Sequence, residues 1–478
     1  MDILLINPCL RPNNPRKFFP IGLGYIATVM KIAGYDFTIY DLDAHRPTDG
    51  QFQAFLASRR FDVVAFGALV THYRWVKWAL SVIREAQRRA TIILGNSVAT
   101  SIPEQLLRWT EADVAVVGEG EVTILEVLDR LRKSESLEGV DGVYFKQDGR
   151  IVANAPRAPI PQIDTLPFVN RDLFDIEAYL EASKFNVNEP YPRPLDQIVT
   201  QNLSSARGCI YKCTFCFHNF LGKGYRYRSE ESVVAEIRQL QQRYGVNYIQ
   251  FWNDLTFCNK SHVERFVDRL LAERLNVNWM ASVVGTLFQR PGPRDEAIAL
   301  KMKQSGCVGV TYSLESANQE IMKAVNKPMS LTGYSNTRCT LKAAGVPTLT
   351  SVIFGYPQET PASIQETIDF CIKEGVAPSA GYLLPTPGTP VYRDAMARGL
   401  IQDEEQFLMN LGDRQNLHLN LTSMSDEELQ RQVREGMIRC QKAVLGEYVH
   451  YDDPLKTLRK RSGERIDAAP ETDRSHTG

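Results

Sequence analysis

Short apolar runs alternate with amphipathic stretches twice along this chain, and that rhythm constrains the fold more than any other feature. Between residues 2 and 134 the runs are "ILLI" (3–6), "FTIY" (37–40), "VVAF" (63–66), "TIIL" (91–94) and "VAVV" (114–117). Helix-patterned segments such as "GLGYIATVMKIAG" and "RWVKWALSVIREAQRR" separate them. Runs that are apolar at every position suit strands buried on both faces, and strands alternating with helices imply a covered parallel sheet. Ligands of such sheets bind beyond the carboxyl ends of the strands. Here those ends are "NPCLRPNN" (7–14), "DLDAH" (41–45), "GALVTHY" (67–73), "GNSVAT" (95–100) and "GEGE" (118–121). "MDILLINPCL" lacks a basic leader and a cleavage site, so it is expected to be a strand and not a signal peptide.

A hairpin is expected in "GVYFKQDGRIVAN", with Asp148-Gly149 in a primed turn. The proline-dense stretch 155–196 reads as a linker that wraps over its neighbours. The alternation resumes with six strand-like runs, at 197–204, 246–252, 277–284, 308–314, 347–354 and 379–385. Ser229 is expected to cap the helix after the first run, and Thr360 followed by Pro361 to start the helix after the fifth. Six β/α units in series suggest a partial barrel with its chemistry at the C-terminal strand ends. The expected division is 1–154 a doubly wound α/β domain with the hairpin, 155–196 the linker, 197–395 the partial barrel, 396–455 a helical segment, and 456–478 a disordered tail. A net charge of −1 points to no nucleic-acid or membrane partner, and no apolar run is long enough to span a bilayer.

"ARGCIYKCTFCFHN" (206–219) places three cysteines and a histidine just after the first strand of the second half. Cys209, Cys213, Cys216 and His218 could bind zinc as a Cys3His set, but four ligands in ten residues are cramped. Packing alone is a poor account of three thiols beside Arg207, Lys212 and His218. An iron–sulfur cubane suits the spacing better, with three irons held by the loop and the fourth left open. The other six cysteines (Cys9, Cys258, Cys307, Cys339, Cys371 and Cys440) are scattered singly, which argues against a disulfide framework. They are expected to be small buried hydrophobes in a reducing, cytoplasmic compartment.

The spacing C-x3-C-x-aromatic-C resembles the signature of the radical S-adenosylmethionine (SAM) superfamily. "FWNDLTF", "YSLESAN", "FGYPQET" and "PTPGTPVY", each at a strand end and in order, resemble further segments of that family. The resemblance implies a 4Fe–4S cluster on Cys209, Cys213 and Cys216. It also implies reductive cleavage of SAM to a 5′-deoxyadenosyl radical that takes hydrogen from an unactivated carbon. Phe215 would wall the bound SAM, Asn253 and Asp254 would accept from its ammonium, and Ser313 and Glu315 would hold the ribose. His218 would stand behind these groups without ligating.

The first half resembles the cobalamin-binding-domain subgroup of that superfamily, through "PIGLGYIATVM", "LGNSVATSIPEQLL" and "VVGEGEVTILEVL". "GLGYIA" also fits a dinucleotide fingerprint, but fifteen residues part it from the first strand, so its glycines are expected to serve helix packing. The subgroup's cofactor would lie against Leu69, Thr71, Gly95, Asn96, Ser97, Gly118, Glu119 and Gly120. One departure is Gly95-Asn96-Ser97-Val98 where the subgroup reads Gly-Gly-Pro-His. Another is the bulk of His72, Tyr73, Trp75 and Trp78, which would either pack on a corrin or fill its space.

Two expectations follow from the resemblance. The leading one is cobalamin-dependent C-methylation of a small metabolite, with flavodoxin or ferredoxin as electron donor. The other is a radical SAM dehydratase, epimerase or rearrangement enzyme whose first domain binds no corrinoid. A zinc-stabilised binding module is a third reading, from outside enzymes.

Overall fold

The structure, a computed structural model, describes residues 1–187, 191–220, 222 and 224–446. The expected disordered tail at 456–478 and the last residues of the expected helical segment lie outside the described residues.

Seven strands form the first sheet: β1 (Ile3–Asn7), β2 (Thr38–Asp41), β3 (Val63–Gly67), β4 (Thr91–Gly95), β5 (Val114–Val116), β6 (Val143–Gln147) and β7 (Arg150–Ala153), in the order β2-β1-β3-β4-β5-β6-β7. The first five are parallel, and β6 and β7 add on antiparallel. Alternate side chains of each strand enter different cores, which explains the unbroken apolar runs. Leu4, Ile6, Val64 and Phe66 pack on one side with the helices Asp49–Ser58, Tyr73–Ala86 and Pro103–Trp109. Ile3, Leu5, Val63 and Ala65 pack on the other with Ile21–Ile32 and Gly120–Arg132. The β6–β7 turn has positive φ at Asp148 and Gly149, as the expected primed turn requires.

The second half starts with β8 (Thr200–Leu203). A two-residue ladder follows, β9 (Ala206–Arg207) against β10 (Arg226–Tyr227), and then β11 (Tyr248–Phe251), β12 (Asn278–Ser282), β13 (Cys307–Thr311), β14 (Thr348–Leu349), β15 (Ser351–Phe354) and β16 (Ser379–Tyr382). A parallel sheet runs β14-β13-β12-β11-β8, and β15 pairs with β16. The run expected as one strand at 347–354 is therefore two. Thr350 breaks it, and a lone bridge from Glu315 to Val352 carries the curvature across the break. Ser229 and Thr360 cap their helices as expected, Thr360 in a capping box with Pro361 at the first turn.

The linker is pinned to both halves. Tyr179 donates to Asp41 Oδ2 (2.7 Å) and accepts from Asn7 (2.9 Å) at the ends of β1 and β2. Arg171, 1% exposed, reaches Glu236 (3.3 Å) and the Asn202 carbonyl (2.9 Å) in the second half. Gly24 serves helix packing as expected, since a Cβ there would lie 2.6 Å from Val169 of the linker. Gly22, with open space around it, has no such role.

Beyond the barrel, Glu404–Asn410 returns to the first domain, where Glu405 pairs with Lys77 and the Met409 carbonyl accepts from Arg74. Asp426–Leu445 packs along Pro361–Glu374. Of the six scattered cysteines, Cys307, Cys371 and Cys440 are buried as expected. Cys9 and Cys258 are only partly buried, and Cys339 is exposed. Cys339 falls on the outer face of an amphipathic helix, a position its isolation in the sequence did not reveal. Among the described residues no helix is long and apolar enough to cross a membrane.

Candidate active site

The three clustered cysteines lie on the loop between β9 and β10, at the C-terminal end of β8. Gly208 opens that loop with φ +83°, and a Cβ there would stand 2.2 Å from the Gly224 carbonyl oxygen. Only glycine fits that neck. The loop backbone is tied down further on: Thr214 N–H donates to Val325 O (3.0 Å), Val391 N–H to Thr214 O (3.2 Å) and Asn326 to Lys212 O (3.0 Å).

Desolvation raises all three thiols. Cys213 is pushed up to about 11, and Cys216 to about 12 with the charges of Cys213, Asp254 and Glu315 adding to it. Left to themselves they are neutral at pH 7, so thiolate character here has to come from a bound cation. Among the described residues no three His, Cys, Asp or Glu side chains converge as ligands of a single metal ion. A cubane takes one thiolate per iron, and three thiols on one loop supply three of its four corners.

Asp254 follows β11. Its Oδ2 accepts from Gly208 N–H (3.3 Å) and faces His218 Nδ1 at 3.4 Å. Burial raises the Asp254 carboxyl and lowers His218, while each counters the other through its charge. Asn253 is placed differently from the expected ammonium contact. Its Oδ1 accepts from Ser205 N–H (3.0 Å) and Ala206 N–H (3.1 Å), and its Nδ2 donates to Ser205 Oγ and Thr256 Oγ1. Those four bonds use the whole amide, so Asn253 holds the strand leading into the cysteine loop.

Glu315 has a left-handed backbone (φ 64°) and a buried ion pair to Lys327 at 2.8 Å. Lys327 also donates to Ser313 O, and the Ser313 hydroxyl accepts from Ser351. Phe215 stands edge-on to Tyr356 with ring centres 5.8 Å apart. Tyr356 is fully buried with an unpartnered hydroxyl, and beside it Glu359 binds the N–H groups of Gly355 (2.7 Å) and Tyr356 (3.3 Å). Burial lifts the Glu359 carboxyl to about 7. Sequence reasoning singled out none of Lys327, Tyr356 and Glu359, which the structure gathers beside Glu315 and Phe215. The signals were present, a lysine in "AVNKPM" and polar groups in the strand-end "FGYPQE".

Across from this mouth lies the rim of the first sheet. Leu69 is 41% exposed there, and Gly95 has open space where a Cβ would be. Asn96 takes a left-handed backbone, and its Oδ1 accepts from Asn219 of the cysteine loop (2.9 Å). Phe18 and Trp252 meet at 4.4 Å, with Trp252 45% exposed. Of the bulky side chains after β3, Tyr73, Trp75 and Trp78 turn away from the rim, while His72 stays at it. Tyr73 is buried, and Trp75 and Trp78 pack beneath against Phe66 and Phe52. His72 bonds Leu10 O and Thr71 Oγ1. An open, partly apolar rim of this kind fits a large planar cofactor.

Several residues expected to touch that cofactor are engaged elsewhere. Ser97 Oγ accepts from Val70 N–H (2.9 Å), Gly118 N–H donates to Thr100 (3.1 Å), and Gly120 packs against Ile26. Glu119 binds Arg226 and Arg207 of the second half. Its carboxylate looked free in the sequence because the partners lie about ninety residues or more downstream.

Residues 203–371 match the radical SAM superfamily model, and residues 15–128 match the B12 binding domain model. An uncharacterized methyltransferase of Pyrococcus horikoshii is 27% identical over 80% of this chain and 79% of its own length. Cytidylyl-2-hydroxyethylphosphonate methyltransferase of Streptomyces wedmorensis is 26% identical over 89% of this chain and 87% of its own. The radical SAM methyltransferase TsrM of Kitasatospora setae, solved with cobalamin and a [4Fe-4S] cluster, shares the fold over 84% of this chain and 78% of its own, at TM-score 0.65 and 16% identity. The cobalamin-dependent SAM radical enzyme OxsB shares it over 88% of this chain and 58% of its own, at TM-score 0.64 and 15% identity.

Proposed function

We propose that this chain, which belongs to the radical SAM superfamily and carries a B12-binding domain ahead of its radical SAM domain, is a cobalamin-dependent methyltransferase acting on an unactivated carbon of a small metabolite. The observation that carries the reading is the pairing of a three-thiol loop with an open cofactor rim, tied together by the Asn219–Asn96 bond. The similar methyltransferases support it. A zinc scaffold would leave both domain matches without purpose. The non-methylating alternative rested on the altered 95–98 loop and the aromatic bulk after β3. The loop leaves space at Gly95 and the aromatics turn inward, so neither favours it.

When bound, a 4Fe–4S cluster supplies the electron that cleaves SAM, and cobalamin supplies the methyl group. Cys209, Cys213 and Cys216 would hold the cluster, and the buttressed loop presents them in one arrangement. Asp254 accepts the methionine ammonium, with Gly208 N–H and His218 fixing its other face. Glu315 and Ser313 receive the ribose hydroxyls. Lys327, bonded to both Glu315 and the Ser313 carbonyl, holds the Glu315 carboxylate in place, and Ser351 orients the Ser313 hydroxyl so that its proton is free to donate. Phe215, braced by Tyr356, closes one wall against water. Leu69, Gly95 and Asn96 would hold the corrinoid at the rim. Orientation and exclusion are the protein's share of such chemistry.

The substrate is a small molecule, the reductant a flavodoxin or ferredoxin, and the setting the cytoplasm, with no nucleic-acid or membrane partner. Anaerobic reconstitution with iron, sulfide and hydroxocobalamin, followed by turnover with SAM and a reductant, tests the reading. Methyl transfer yields 5′-deoxyadenosine together with S-adenosylhomocysteine. Release of 5′-deoxyadenosine alone, with no corrinoid retained, would exclude methylation.

A further inference from the structure

Arg207 and Arg226 are cross-strand partners at the base of the cysteine loop, where β9 meets β10. Both side chains point to the first domain. Arg226 Nη2 lies 2.6 Å from Glu119 Oε1, Arg207 Nη1 lies 3.4 Å from the same oxygen, and Arg207 also pairs with Glu121. The other Glu119 oxygen accepts from the Ile160 N–H (2.6 Å), and Arg226 returns a bond to the Ile160 carbonyl (2.5 Å). The Phe220 ring stands 5.5 Å from the Arg207 guanidinium and 5.8 Å from that of Arg226. Tyr25 meets Arg207 at 5.5 Å. The four charged side chains are 3–11% exposed. Two positive and two negative charges make a balanced set, and removing one leaves its opposite buried and unpaired.

This cluster holds the neck of the cysteine loop, one residue from Gly208 and two from Cys209. We propose that Glu119 and Glu121, with Arg207 and Arg226, form a clamp that fixes the cysteine loop in register with the first domain. The two glutamates of the "GEGE" turn thus act through the arginines as positioning residues. Burial alone would work against the Glu119 carboxylate, but the Arg226 and Ile160 bonds and the two guanidinium charges outweigh it, so it titrates below the usual glutamate range. The functional consequence rests on the methyl-transfer reading: radical generation and methyl donation occur on different domains, so coupling them requires a fixed spacing.

The test compares the parent chain with Glu119→Gln and Glu119→Asp. In the metal-free full-length protein, deuterium exchange of the peptide carrying 206–228 is expected to quicken on the order of tenfold in Glu119→Gln. Protection should return in part with Glu119→Asp, which keeps the charge. In reconstituted protein, Glu119→Gln should retain iron while the ratio of 5′-deoxyadenosine to methylated product rises. If Glu119→Gln does not fold, Arg226→Lys, which keeps the charge but loses the grip on both Glu119 and Ile160, gives the same measurements. Unchanged exchange at 206–228, or quickening spread evenly over the first domain, overturns the clamp. A parent protein that releases 5′-deoxyadenosine without methylating anything overturns the functional reading, and the exchange result still judges the clamp.

Discussion

Replacing Gly208 by alanine perturbs the cysteine loop at the point where the structure allows least. Two costs add. An L-residue in the left-handed region costs about 1–2 kcal/mol. The new methyl would stand 2.2 Å from the Gly224 carbonyl oxygen, against about 3.5 Å for ordinary contact, so the carbonyl must retreat by about 1.3 Å. Overpacking of that kind costs about 1–3 kcal/mol. The sum is about 2–5 kcal/mol, concentrated between the neck and the first cysteine. Gly149→Ala isolates the conformational part, because Gly149 also has a positive φ (+74°) but nothing within 4 Å of its added Cβ. Thermal melting of the metal-free proteins should place Gly208→Ala well below Gly149→Ala. Iron and acid-labile sulfide after anaerobic reconstitution should fall in Gly208→Ala only. Full iron loading with equal melting temperatures in the two variants would show that the neck yields easily and that the steric reasoning is wrong.

Glu359 makes stability pH-dependent. With its carboxyl raised from 4.5 to about 7, its share of stability is full below pH 4.5 and is lost as pH rises through 7, about 3 kcal/mol in all. Glu359→Gln should flatten the melting temperature between pH 5 and 8, measured against the parent's decline. Lys327→Met leaves Glu315 buried without its partner and should cost about 3–5 kcal/mol. Adding Glu315→Gln should recover much of that stability in denaturation while SAM binding, followed by calorimetry, stays weak. Gly24→Ala pushes on Val169 and Phe19 and should destabilise by about 1–3 kcal/mol, with Val169→Ala restoring most of the loss in the same melting assay.

Legibility in the sequence followed the range of the interaction. The Asp148-Gly149 turn, the Ser229 and Thr360 caps and the strands "ILLI" and "VVAF" were readable because each depends on neighbours a few residues away. The cysteine loop was readable because its three cysteines fall within eight residues of sequence. The backbone-strapping bonds of Asn253 were not readable, because a strand-end amide looks the same whether it faces a ligand or straps a backbone, and the positions of Ser205, Ala206 and Thr256 come only with the fold. The break at Thr350 was invisible because residues 348–354 all suit a strand, and curvature is a property of the closed sheet.

Period and spacing alone determined that this chain makes two parallel α/β units, and that three thiols gather at the carboxyl end of the second unit's first strand. Tertiary structure decided which charges meet. Glu119 met Arg207 and Arg226, and Glu315 met Lys327, when whole elements docked. A buried charge takes whichever opposite charge the packing of those elements brings within reach, and no local pattern in the chain encodes that distance.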